Sequence, residues 1–65
     1  MKLIIAKDIK NNDIAINVDE IRAFYQYINK DGIRESSIVE VDVGSPKTLL
    51  VKKTFLEFKR LITNG

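Results

Sequence analysis

The chain contains no cysteine and no histidine. That removes disulfides and the common zinc ligand sets at once. It also removes every nucleophile–histidine arrangement of acyl-transfer chemistry. There is one proline, three glycines and no tryptophan. The longest uninterrupted apolar run, Leu3 to Ala6, is far too short for a spanning helix or a secretory leader. A cytoplasmic location, with no membrane attachment, is therefore the default expectation. Low-complexity tracts, linkers and internal repeats are missing too, so the 65 residues read as a single domain.

A domain this small buries only about 60% of the surface its unfolded chain exposes. Such chains commonly rely on disulfides, a metal or a partner subunit. With the first two excluded, an efficient small core or oligomerisation remains. The hydrophobic content of 45% suffices for a globular chain and argues against disorder.

The net charge of +2 is unevenly spread. Residues 1–45 carry six Lys/Arg against eight Asp/Glu, a net of −2. Residues 46–65 carry Lys47, Lys52, Lys53, Lys59 and Arg60 against Glu57, a net of +4. A basic closing segment can touch phosphates. The plainer account is a solvated helix face beside an edge strand guarded by lysine.

The most informative stretch is the C-terminal one. Gly44-Ser45-Pro46-Lys47 reads as a tight turn, Thr48 to Lys52 as a short strand and Thr54 to Thr63 as a closing helix. Thr54 and Glu57 have capping-box spacing, each able to satisfy a free backbone N–H at the helix start. Phe55, Phe58, Leu61 and Ile62 recur on one helical face, an arc of about 120° suited to packing on a core. Asn64-Gly65 offers a stop. A helix of about ten residues is marginal alone in water, so it must dock. Leu56 lies off that stripe and is either a single exposed leucine or part of an oligomer contact.

Upstream, Leu3 to Ala6 is β-prone and Asn11-Asn12-Asp13 is a turn cluster. Ile14, Ile16 and Val18 then alternate with Ala15 and Asn17, completing a hairpin. Val18 to Ile28 reads two ways. Val18, Ile21, Tyr25 and Ile28 fit a helical face capped by Asn17 and Glu20, whereas Phe24, Tyr25, Tyr27 and Ile28 are β-prone. The preferred reading is a turn at Asn17 to Glu20 followed by a strand. On it Ala23, Tyr25 and Tyr27 share one face and Phe24 and Ile28 the other. Asn29-Lys30-Asp31-Gly32 is a turn whose loop runs to about Glu35. Ser37 to Val43 is a strand with Val39, Val41 and Val43 on one face and Glu40 and Asp42 on the other. Leu49 and Val51 continue the core face of the last strand. The expected fold is α+β: a small antiparallel β-meander of four to five strands with one C-terminal α-helix packed on the sheet.

Several chemistries fail on their own terms. Glu40 and Asp42 share a strand face, as a catalytic dyad would, but a solvent-facing strand does the same. Gly44-Ser45-Pro46-Lys47-Thr48 lacks the second glycine of a phosphate-binding loop, and its proline removes an N–H donor. Asn29 to Gly32 has the centre of a calcium loop, yet that register puts Tyr27 and Ile38 where carboxylates are required. Arg22 to Tyr27 sets aromatics beside a base, as RNA-binding sheets do, without the glycine spacing of that motif. Tyr25 and Tyr27 are better read as core or interface residues, with an apolar body and a polar tip. No catalytic residue, cofactor site or metal site is expected.

Ile14-Ala15-Ile16-Asn17-Val18-Asp19-Glu20-Ile21 precedes an alternating strand, and Lys47-Thr48-Leu49-Leu50-Val51-Lys52-Lys53 runs into a helix bearing Phe55, Phe58 and Leu61. This arrangement resembles the small FlbD-like proteins of bacteria across most of the chain from Ile14 onward. It is also similar to the opening strands of LytTR-type DNA-binding domains, although the DNA-reading strands of those domains lie beyond the matching part. The loop at Asn29 to Glu35 and the inserted Ser45-Pro46 depart from the FlbD-like pattern. The resemblance implies a small non-enzymatic accessory protein. Two functions follow as expectations. One is an interaction module, a homodimer or the partner of another protein, with Tyr25, Tyr27 and Leu56 as interface residues. The other is a nucleic-acid-binding regulator using Lys47, Lys52, Lys53, Lys59 and Arg60.

Overall fold

The computed structural model describes residues 2–44 and 48–63. The chain is α+β, with five strands and one C-terminal helix among the described residues. The strands are β1 (Leu3–Lys7), β2 (Asp13–Asn17), β3 (Ala23–Ile28), β4 (Arg34–Asp42) and β5 (Thr48–Val51), followed by α1 (Phe55–Thr63). The Gly44–Lys47 turn and the Asn64-Gly65 stop fall wholly or largely outside the described residues.

The strands do not form one continuous meander. They divide into a β1–β2 hairpin and an antiparallel β3–β4–β5 sheet. The two sheets meet at one corner, where Asp8 bridges Val51 and the Lys52 N–H donates to the Lys7 carbonyl at 2.8 Å. Loop chemistry explains the break. Asp8 accepts from the N–H groups of Lys10 and Asn12, each at 2.9 Å, and Asn11 takes a positive φ of 70°. The chain therefore leaves β5 after one bridge and folds back as β2, tolerating a left-handed residue that asparagine accepts better than most.

Residues 18–28 are a short 3₁₀ turn, Val18–Glu20, and then strand β3. Asn17 caps the turn by accepting from the Asp19 N–H at 3.0 Å. The next turn closes earlier than the sequence suggests. The Asn29 side chain accepts from the N–H groups of Asp31 and Ile33, and Gly32 adopts φ 79°, so β4 begins at Arg34 rather than beyond Glu35.

One face of β3–β4–β5 carries the core. Phe24, Val41 and Leu49 stand in register across it, as do Gln26, Val39 and Val51. The hairpin contributes Ile4, Ala6 and Ile16, and the helix contributes Phe58. Phe58 is fully buried, with its ring edge-on to Phe24 at 5.2 Å. The helix starts as its sequence dictates: the Glu57 N–H donates to Thr54 Oγ1 at 3.1 Å and the Thr54 N–H donates to Glu57 Oε1 at 3.0 Å. At its other end Lys2 Nζ donates to the carbonyls of Leu61 and Ile62. A cation there complements the negative end of the helix dipole and ties the start of β1 to the end of α1.

The expected helical stripe is only partly covered. Phe58 is buried and Ile62 half-buried, but Phe55 and Leu61 keep 40% and 37% of their surface exposed. The sheet beneath is three strands wide, too narrow to cover the whole arc.

Candidate interaction surfaces

Three surfaces remain after the core is made. The first is the uncovered face of β3–β4–β5. Strand alternation places Tyr25, Glu40 and Leu50 in one row across it and Ala23, Asp42 and Thr48 in the next. Glu40 and Asp42 do share this face, as the sequence pattern requires. Partial burial pushes the Tyr25 phenol above its ordinary range, and the neighbouring Glu40 and Asp42 carboxylates push it further. An exposed tyrosine flanked by two carboxylates is a poor platform for stacking a nucleobase, because the attached phosphates would meet negative charge.

The second surface is the free edge of β3. This strand pairs with β4 alone among the described residues. Aromatic residues on both of its faces would suit a central strand, but β4 is central and β3 lies at the edge. Tyr25 is 45% exposed and Tyr27 half-buried. The register with β4 shifts between Gln26 and Ile28, where Glu35 to Ile38 of β4 stand opposite Tyr27 alone. Ile28, beyond that shift, is 53% exposed. The inner flank of the edge is Phe24 with Phe55 packed on it, ring centroids 5.1 Å apart.

The third surface is the outward side of α1. Leu56 is 55% exposed there. Helical spacing sets Lys59 and Arg60 one turn from it. Lys52 and Lys53 lie in the segment between β5 and the helix. The Thr54 N–H and hydroxyl, with Lys53 and Arg60 nearby, hold the Glu57 carboxyl below its usual range. The ion pair among the described residues is Lys7–Asp13 at 2.8 Å, so Lys52, Lys53, Lys59 and Arg60 are not neutralised by salt bridges to described carboxylates. Lys47 lies outside the described residues.

Concave sites are small. Two open clefts of about 310 Å³ each flank Leu49, where the hairpin splays from β5. Their polar groups are already occupied in part. In the first, Asp8 holds its own turn together, and the Asn12 N–H bonded to it keeps its carboxyl below the usual range. The second is lined mainly by Leu3, Ala15, Ile16, Val43 and Leu49, with Asn17 and Glu20. Among the described residues there is no cluster of three or more carboxylates able to hold a metal ion. No helix among them is long and apolar enough to cross a membrane.

The structure thus brings Tyr25 and Tyr27 together on β3 and sets Leu56 apart on the helix. Sequence reasoning missed Ile28 and Phe55 as exposed apolar residues, because both carried the spacing of core positions. It also missed Leu3 and Ile5, 50% and 67% exposed on the outer side of β1. Their signal was present: an all-apolar strand at a sheet surface must turn alternate residues outward. Comparison with protein-family models, with curated proteins and with solved structures finds no match to this chain.

Proposed function

We propose that the protein is a non-enzymatic interaction module that works as a homodimer. The observation behind this reading is the balance of apolar surface. Among the described residues, nine large hydrophobic side chains are exposed, against seven buried hydrophobic residues in the core. Singly scattered leucines need no explanation. Here, however, Tyr25, Ile28 and Phe55 gather along one strand and the helix start that packs on it. Burial of that surface by a second subunit supplies stability that disulfides or metal provide in other small domains. The resemblance to FlbD-like proteins points the same way, toward a small accessory protein.

The uncompensated charges of Lys52, Lys53, Lys59 and Arg60 favour a second reading, a nucleic-acid-binding regulator. Sedimentation velocity over a concentration series, with and without a short random duplex at low salt, separates the two. The interaction module gives a concentration-dependent dimer that ignores DNA. A species that grows with duplex and dissociates on adding salt supports the regulator. A monomer at hundreds of micromolar, with or without duplex, contradicts both.

A further inference from the structure

We infer that two copies pair through the free edges of β3, antiparallel about a two-fold axis near Tyr25, to make one continuous six-stranded sheet. This inference rests on the homodimer reading and specifies its surface and its partner.

A strand edge presents a row of unpaired N–H and C=O groups, and natural proteins guard such edges with charge, proline, brevity or a cover. The opposite edge of this sheet is guarded. β5 has four residues, closes against Asp8 at its end and runs into Lys52 and Lys53. β3 has none of these protections. Its six residues, Ala-Phe-Tyr-Gln-Tyr-Ile, contain no charge, no proline and no glycine. The register shift lies in β4, which runs four residues between Arg34 and Val39 where β3 runs one, and it leaves Ala23 to Gln26 in regular register with β4.

The occupant follows from self-complementarity. Antiparallel pairing of a strand with itself satisfies a two-fold axis, the commonest symmetry of soluble oligomers. An axis at Tyr25 sets Tyr25 against its counterpart and Ala23 against the partner's Tyr27, with no like charges opposed within the strand. Aromatic pairs of this kind strengthen cross-strand contacts. Phe55 continues the surface on the inner flank. Pairing through the opposite broad faces fits less well. The acidic Glu40–Asp42 face would repel itself, and matching it to the basic helix face of another copy is head-to-tail and generates an open filament.

The expected strength is modest. The paired span of five residues, Ala23 to Tyr27, is about 17 Å long, and with side chains on both flanks the footprint is on the order of 400 Å² per partner. That is about half of a standard interface and belongs with weak, transient association. Dissociation in the micromolar range is expected.

The absence of native cysteine makes the test clean. Single variants Tyr25→Cys, Ile5→Cys and Leu56→Cys are oxidised with diamide at several protein concentrations, and sedimentation is run on the wild type. The inference expects a wild-type dimer, with Tyr25→Cys cross-linking at least tenfold faster than the other two. A Tyr25→Lys variant, whose fold is checked by circular dichroism, is expected to raise the dissociation constant at least tenfold. Lysine there faces Glu40 within its own chain, which favours the monomer fold while guarding the edge. A wild-type dimer that cross-links through Ile5→Cys or Leu56→Cys and survives Tyr25→Lys overturns the β3 pairing but leaves the homodimer. A wild-type monomer throughout overturns both.

Discussion

Replacing Phe58 by alanine tests how the helix is held. Phe58 is fully buried and sits among Ile4, Ala6, Ile16, Val39, Val41 and Val51, with its ring against Phe24. A Phe→Ala change at such a site costs about 3–5 kcal/mol, from lost transfer energy and the cavity left behind. A domain of this length has a total stability of roughly 3–10 kcal/mol. The substitution therefore removes between a third and all of it. At about 4–8 °C per kcal/mol for domains of this size, the melting temperature falls by more than 12 °C or the transition disappears. The matched comparison is Phe55→Ala. Phe55 touches Phe24 but remains 40% exposed, so its loss is expected to cost roughly a third as much, about 1–1.5 kcal/mol. Urea and thermal unfolding followed by far-ultraviolet circular dichroism give both numbers. Equal costs, or a larger one at Phe55, would mean that the helix is rotated from the position described, and the packing argument would be wrong.

Other consequences are smaller. Thr54→Ala removes the acceptor for the Glu57 N–H and is expected to cost about 1 kcal/mol, read as a shift in the urea midpoint with an unchanged slope. Glu57 and Asp8 both have carboxyl pKa values held below their ordinary 4.5 and 3.8 in the folded chain. Their stabilisation is present above those unfolded values and is lost as pH falls through the folded ones. Stability should thus decline on acidification below about pH 4.5, and a Glu57→Gln, Asp8→Asn double variant should show a flatter acid limb in pH-dependent thermal melts. Tyr25 behaves in the opposite sense. Its phenol is raised above 10, so the stabilisation it gives is complete below the unfolded value and is lost as pH rises through the folded one. In a Tyr27→Phe background, phenolate absorbance from Tyr25 should appear at higher pH in the folded chain than in urea.

Much of this fold is legible in the sequence because local signals agree with tertiary needs. The Thr54–Glu57 box, the alternation of Val39 and Val41, and the Asn17–Glu20 turn each specify one structure from a few residues. The β3 assignment was harder, since Val18 to Ile28 satisfies a helical and a strand period at once. Tertiary packing decides it: Phe24 must lie in register with Val41 to meet Phe58. Three features escape a local reading. The division into two sheets depends on Asp8 turning its own loop after a single bridge to Val51, which apolar periodicity does not encode. The edge position of β3 depends on which strands pair, so an aromatic strand suited to a centre stands at the rim. The register shift before Ile28 depends on three extra residues in β4, which no local pattern marks. Of the interface candidates, Tyr25 and Tyr27 lie on the edge strand β3 and Leu56 lies on the helix.

The most direct test is hydrogen–deuterium exchange measured at low and at high protein concentration. The proposed dimer predicts that amides within Ala23 to Gln26 gain protection as concentration rises, while those of β2 do not change. Exchange in β3 that is indifferent to concentration, or protection that appears on the β1–β2 hairpin or along α1 instead, contradicts the edge-paired homodimer.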